Sequence, residues 1–171
     1  MKIKTTLLII ALLFLYQSAS AVCPAGKVQS VQEIKLQIEK QLNPIMEYIF
    51  FSQTPTGFVI SINKNLIFNE CDDISLTGKL LLIQMAQIIK NSGYKWQIFC
   101  HCGELATQIE RISRTTEQAV KITYFLTDTE KCLLNQIIPI GFGSIMPVKN
   151  LSEKQSQNRV DFIVEDFSFS R

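Results

Sequence analysis

The stretch from Trp96 to Leu126 constrains this chain more than any other. Trp96-Gln-Ile-Phe-Cys-His101 is a short apolar run with a polar end, the pattern of a buried strand. Cys100 to Glu104 makes a tight polar corner. From Leu105 to Leu126 the apolar residues Ile109, Ile112, Ala119, Ile122 and Leu126 recur at spacings that suit an amphipathic helix. A strand ending where a helix begins presents unpaired backbone N–H groups, so any small anion this protein binds is expected at that corner.

The same periodicities extend outward from this stretch. Gln32 to Leu42 predicts a helix with Val31, Ile34, Ile38 and Leu42 on one stripe, stopped by Asn43-Pro44. Ile45 to Phe51 is a second apolar run that leads to the turn Thr54-Pro55-Thr56-Gly57. Phe58, Ile60 and Ile62 alternate as a strand, and Ser75 caps a helix that Ser92-Gly93 ends. Ile137 to Gly141 predicts a strand in which Pro139 favours an edge or a bulge. Arg159 to Phe167 alternates as a half-exposed antiparallel strand. The order strand, helix, strand, helix, strand, strand predicts an α+β sandwich, one mixed sheet with two main helices on one face.

Residues 1–21 read as a signal peptide. Lys2 and Lys4 open it, Leu7 to Leu15 form its apolar core, and Ala19-Ser20-Ala21 is a small-residue cleavage site. A retained membrane anchor is the alternative, but the apolar run is short for a bilayer. Residues 22–53 then form an N-terminal linker and helix, and 54–171 the main domain. The chain has 17 basic and 15 acidic residues; without Lys2 and Lys4 the count is 15 against 15. That balance argues against a nucleic-acid partner, which requires a basic footprint. Export places the five cysteines in an oxidising compartment. Cys23 follows Ser20-Ala21-Val22, a weak likeness to a lipoprotein cleavage site, so Cys23 is a lipidation candidate that would tie the chain to the outer membrane.

Five short patterns in order resemble OmpA-like C-terminal domains, the peptidoglycan-associated family. They are Thr54-Pro-Thr-Gly57-Phe-Val-Ile-Ser-Ile with Leu66-Ile-Phe68 and Leu80 to Ile89; Cys100-His101-Cys102-Gly103 where the family has Gly-His-Thr-Asp; Ile112-Ser113 with Thr116-Glu117 where it has Leu-Ser-x-x-Arg-Ala; Gly141-Phe-Gly143-Ser-Ile-Met-Pro147; and Asn158-Arg159-Val160-Asp161. The resemblance implies a βαβαββ sandwich without catalytic function or cofactor. It also implies peptidoglycan as partner through its diaminopimelate stem peptide, with Asn69, His101, Gly103, Glu104, Thr116, Asn158 and Arg159 as binding candidates. An Asp and an Arg would grip the zwitterionic stem peptide by charge-assisted hydrogen bonds. Here Gly103 and Thr116 stand at those positions, and each lost contact removes roughly 1.5–3 kcal/mol. Arg114, about 200° around a helix from Thr116, points away from it; Glu104 is the acid nearest to the missing Asp. The divergence implies a fold kept as a building block, with envelope or secretion-complex proteins as partners. A small exported chain of this kind is similar to an envelope component of type IVB secretion systems, placed in the periplasm or on the periplasmic face of the outer membrane.

Cys100, His101 and Cys102 invite a metal or thiol-enzyme reading. On a strand, however, His101 faces away from both sulfurs, and no fourth ligand or orienting acid is evident. The loops after the first two strands of a parallel pair share one edge, so a Cys71–Cys102 disulfide is expected, with Cys132 free or buried. His101 is expected to brace the corner. Glu70, Asp72 and Asp73 are read as a solvated loop that favours the dipole of the following helix.

Overall fold

A computed structural model describes residues 30–54, 57–103, 107–144 and 158–165. Strand alternation decides what the sheet buries. In β2 (Gly57–Asn63) Phe58, Ile60 and Ile62 turn inward. Trp96, Ile98 and Cys100 do so in β3 (Trp96–His101), and Val160, Phe162 and Val164 in β5 (Arg159–Glu165). With β1 (Ile49–Thr54) and β4 (Ile137–Gly143) these form one mixed five-stranded sheet in the order β1-β2-β5-β3-β4. The predicted α+β sheet is therefore present. The run Ile45 to Phe51, read only as apolar, contributes a 3₁₀ turn and then the strand β1, antiparallel to β2.

Helix α1 (Val31–Gln41) starts at a capping box between Ser30 and Glu33 and buries Ile34 and Ile38. The short α2 (Lys64–Ile67) leads into α3 (Leu76–Ser92). Ser75 caps α3, and Gly93, at φ 73°, ends it in the left-handed conformation that glycine adopts without penalty. Helix α4 (Gln108–Tyr124) has its own capping box, Thr107 with Glu110, and runs into a π-helical turn, Phe125–Thr129. Ile34, Ile38, Leu81, Leu82, Met85, Ala119 and Ile122 join the inward strand residues in one core. No helix among the described residues is long and apolar enough to cross a membrane.

Two expectations change. The C-terminal strand is not half-exposed. It lies in the middle of the sheet, antiparallel to both β2 and β3, which buries Arg159 and Asp161 on its second face as well (3% and 5% exposed). On α4, Ile109 is 81% exposed and Ile112 is also on the surface, while Thr115, Gln118, Ala119 and Ile122 are buried. At 100° per residue Ile109 lies about 140° around the axis from Ile122, so the two cannot share a buried stripe. Edge position does hold for the proline-bearing strand: β4 pairs only with β3 among the described strands.

Candidate functional site

The site is built where β3 ends, β5 begins and the loop before α3 folds over α4. The register of the sheet sets His101 opposite Arg159. Asp161, two residues along β5, shares their face. His101 Nε2 lies 3.0 Å from Asp161 Oδ2, and Arg159 Nε donates to both carboxylate oxygens at 3.1 and 3.0 Å. Arg159 Nη2 lies 3.3 Å from His101 Nε2, and the imidazole stacks on Phe142. Burial pushes the Asp161 carboxyl up. The hydrogen bond from His101, the charge of Arg159 and the Ser61 hydroxyl outweigh that and hold it below the ordinary carboxylate range. His101 thus braces the corner from inside the sheet, on the face opposite to buried Cys100. Arg159 also lines a cleft of about 50 Å³ with Glu47, Tyr48, Phe50, Ser61 and Asn63, room for one or two waters.

Two described N–H groups of the strand-end corner already have acceptors within the chain. The Cys102 N–H donates to the Gly143 carbonyl at 2.8 Å, and the Gly103 N–H to Asn158 Oδ1 at 3.3 Å. Asn158 also accepts from the Lys64 N–H through its carbonyl, at 3.0 Å, so one residue ties three elements. At the start of α4 the Glu110 carboxylate accepts from the Thr107 N–H and hydroxyl. The negative charge that a helix N-terminus favours is built in. The Cys102 and Gly103 N–H groups are thus not open to an anion. Glu104 lies outside them.

Asn69 is exposed and organises its own loop, accepting from the Cys71 and Asp73 N–H groups at 2.9 Å each. That loop is more than a solvated acidic stretch. Asp72, at φ 59°, carries its carboxylate onto α4. There Arg114 Nε donates to Oδ2 and Gln118 Nε2 to Oδ1 at 2.7 Å, with Lys64 Nζ 3.8 Å away. Lys121 Nζ donates to the Asp72 carbonyl at 2.9 Å and to Asp73 at 3.1 Å. Burial raises the Asp72 carboxyl, but these donors and the Lys64 charge bring it below its ordinary value.

The Cys71–Cys102 bond is not formed. Cys71, Cys100, Cys102 and Cys132 are free thiols, Cys71 exposed and the other three buried. The two cysteine loops were expected to follow a parallel pair of strands, but β5 sits between β2 and β3 and is antiparallel to both. The strands that lead to the two loops are therefore two strand spacings of about 4.8 Å apart, not one. Burial pushes the Cys132 thiol up to about 11 and the Cys100 thiol higher still, so neither is a ready nucleophile. Cys23 lies outside the described residues.

No family model and no curated protein matches the sequence. Solved structures do. The periplasmic domain of Helicobacter pylori MotB aligns with a TM-score of 0.57 at 16% identity, over 70% of this chain and 83% of that one. The cell wall anchor of the T6SS from Pseudomonas aeruginosa aligns at 0.60 and 13%, over 82% and 99%. The OmpA-like domain of FopA1 from Francisella tularensis aligns at 0.53 and 14%, over 85% and 93%.

The fold is that of OmpA-like domains. On α4 the buried positions are Thr115, Gln118, Ala119, Ile122 and Thr123. Thr116 is exposed and backs onto Gly141, where a Cβ on the glycine would collide with the Thr116 backbone. Arg114, one turn before Gln118, does point away from Thr116, and this direction takes it to Asp72. His101, Gly103, Asn158 and Arg159 are brought together; Asn69 and Thr116 belong to other surfaces. Lys64, Asp72, Arg114, Gln118 and Asp161 were missed. The polar positions 114, 118 and 121 share one helix face, a signal that was present in the sequence.

Proposed function

We propose that this chain is a non-enzymatic structural protein of the cell envelope, built on an OmpA-like fold and working within an envelope complex. One observation carries the reading. The two buried or half-buried carboxylates here are paired within the chain: Asp161 with His101 and Arg159, and Asp72 with Arg114 and Gln118. Such a domain is a rigid building block more than an open wall grip. Similarity to a MotB periplasmic domain and a secretion-system cell wall anchor supports an envelope role. The raised thiols support a non-enzymatic one.

The finer assignment is DotK (IcmN) of the Dot/Icm type IVB secretion system, supported by the small exported design and the divergent motifs. In this reading residues 1–21 are removed, 22–53 link, and 54–171 carry the domain in the periplasm, with Cys23 lipidated or the N-terminus soluble. A stand-alone peptidoglycan-binding protein with an altered stem-peptide site is the second reading, favoured by the similarity to a cell wall anchor.

The test is a pulldown of the mature protein on purified sacculi beside affinity purification from detergent-solubilised envelopes. No retention on sacculi with co-purification of a large complex supports the first reading. Saturable retention without a complex supports the second. Mass spectrometry of the mature N-terminus decides between cleavage after Ala21 and lipid on Cys23.

A further inference from the structure

We infer that the outward stripe of α4 is an interface between two copies of this chain, which join through this helix in antiparallel orientation. The inference goes beyond the envelope reading and does not depend on it. α4 packs inward through Thr115, Gln118, Ala119 and Ile122, yet its other side is not the polar surface that an amphipathic helix presents to water. Ile109, Ile112, Val120 and Tyr124 are all exposed there. At 100° per residue they fall, with exposed Thr116, within about 120° of arc, and they extend along about 22 Å of helix. A contiguous row of exposed apolar side chains of this kind marks a contact surface.

Symmetry within the stripe sets the occupant. Ile112 and Val120 each stand four residues from Thr116, and Ile109 and Tyr124 stand seven and eight residues from it. Read from either end, the stripe has the same pattern. Two antiparallel copies related by a two-fold axis at Thr116 therefore set Ile112 on Val120 and Ile109 on Tyr124, each contact made twice. The charges beside the stripe repeat the property. Glu110, Arg114, Glu117 and Lys121 alternate in sign along one flank. About the same axis this flank meets its own reverse, so Glu110 lies beside Lys121 of the other copy, and Arg114 beside Glu117. Opposite charges at the rim of a helix pair fix its orientation. Arg114 and Lys121 also hold Asp72 and Asp73 within each chain, so these rim pairs guide the encounter and the apolar stripe supplies the affinity.

Two other occupants fit less well. A helix that lies on a lipid surface carries basic residues beside its apolar face, whereas here Glu110 and Glu117 break the basic run. A different protein would need neither the repeat about Thr116 nor a charge order that matches its own reverse.

The test follows the mature protein by sedimentation velocity over a wide concentration range. A reversible monomer–dimer equilibrium is expected, and Val120→Lys should raise its Kd at least about tenfold while the circular dichroism spectrum stays unchanged. Cross-linking under mild oxidation reads the orientation, in a background carrying Cys23→Ser and Cys71→Ser. Thr116→Cys should then link to itself. Ile109→Cys and Tyr124→Cys should link to each other when the two proteins are mixed, and neither to itself. A chain that stays monomeric at every concentration overturns the inference, whether or not it binds lipid vesicles. So does a dimer that ignores Val120→Lys, or self-linking of Ile109→Cys as fast as that of Thr116→Cys. Should Val120→Lys not fold, Tyr124→Lys takes its place with the same expected and overturning results.

Discussion

His101 Nε2 and Asp161 Oδ2 face each other across 3.0 Å between neighbouring strands, with the Arg159 guanidinium closing the group. Asp161 is its only negative member. Removing it takes away the carboxylate that both buried side chains share, and breaking a buried pair costs about 3–5 kcal/mol in comparable cases. Asp161→Ala should lower the free energy of urea unfolding by that amount. His101→Ala should cost less, about 1–3 kcal/mol, because Arg159 and Asp161 still pair. A larger loss for His101→Ala than for Asp161→Ala would show that the order of importance is reversed.

Acid should act through two carboxylates. The Asp72 and Asp161 carboxyls are held below their ordinary range in the folded protein. A depressed folded value means that the stability they add is present above the unfolded value of about 3.9 and is lost as pH falls through the folded one. Tm should stay level from neutral pH to about 5 and drop steeply below about 4. In Asp72→Asn and Asp161→Asn the protein starts less stable, and its acid limb is shallower. Thermal melts from pH 7 to pH 2.5 measure this; an unchanged acid limb in both variants would remove these residues from the account.

Gly141 and Thr116 touch backbone to backbone, with no room for a Cβ on the glycine. Gly141→Ala should push α4 off β4 and cost about 1–3 kcal/mol, the usual penalty of overpacking. Thr116→Ala, at an exposed side chain, should change stability by less than about 0.5 kcal/mol. Paired urea titrations check both.

Thiol accessibility checks the cysteine assignment. Of Cys71, Cys100, Cys102 and Cys132, only Cys71 is exposed. A brief maleimide pulse on the native protein should label Cys71 within minutes, and the other three only after unfolding. Peptide mapping by mass spectrometry assigns the sites. Protection of Cys71 that disappears on adding a reductant would instead restore the Cys71–Cys102 disulfide.

The sequence carried the architecture because its periodicities are local. The alternation of Phe58, Ile60 and Ile62 and the capping of Ser75 each act within a few residues. What it hid depends on distant partners. β1 was not seen because an edge strand buries little: Ile49 is inside, while Phe50, Ser52 and Gln53 are exposed. The central place of β5 is decided by two strands about 60 and 100 residues earlier, beyond any pattern in its own residues. On α4 the apolar Ile109 and Ile112 were counted as inward, while the buried face carries the polar Thr115 and Gln118 beside Ala119, which a hydrophobic pattern does not mark. Asp72 looked like one acid among three, since nothing nearby in the chain shows that Arg114 and Gln118 lie under it.

The last of the described strands occupies the centre of the sheet. β2 and β3 cannot be joined until residues 159–165 lie between them. On a chain threaded N-terminus first, everything before that point has two unsatisfied edges waiting for one insert. A nick or early stop anywhere ahead of Arg159 should therefore leave a sticky, open intermediate, prone to capture by chaperones or by the same strand from another copy.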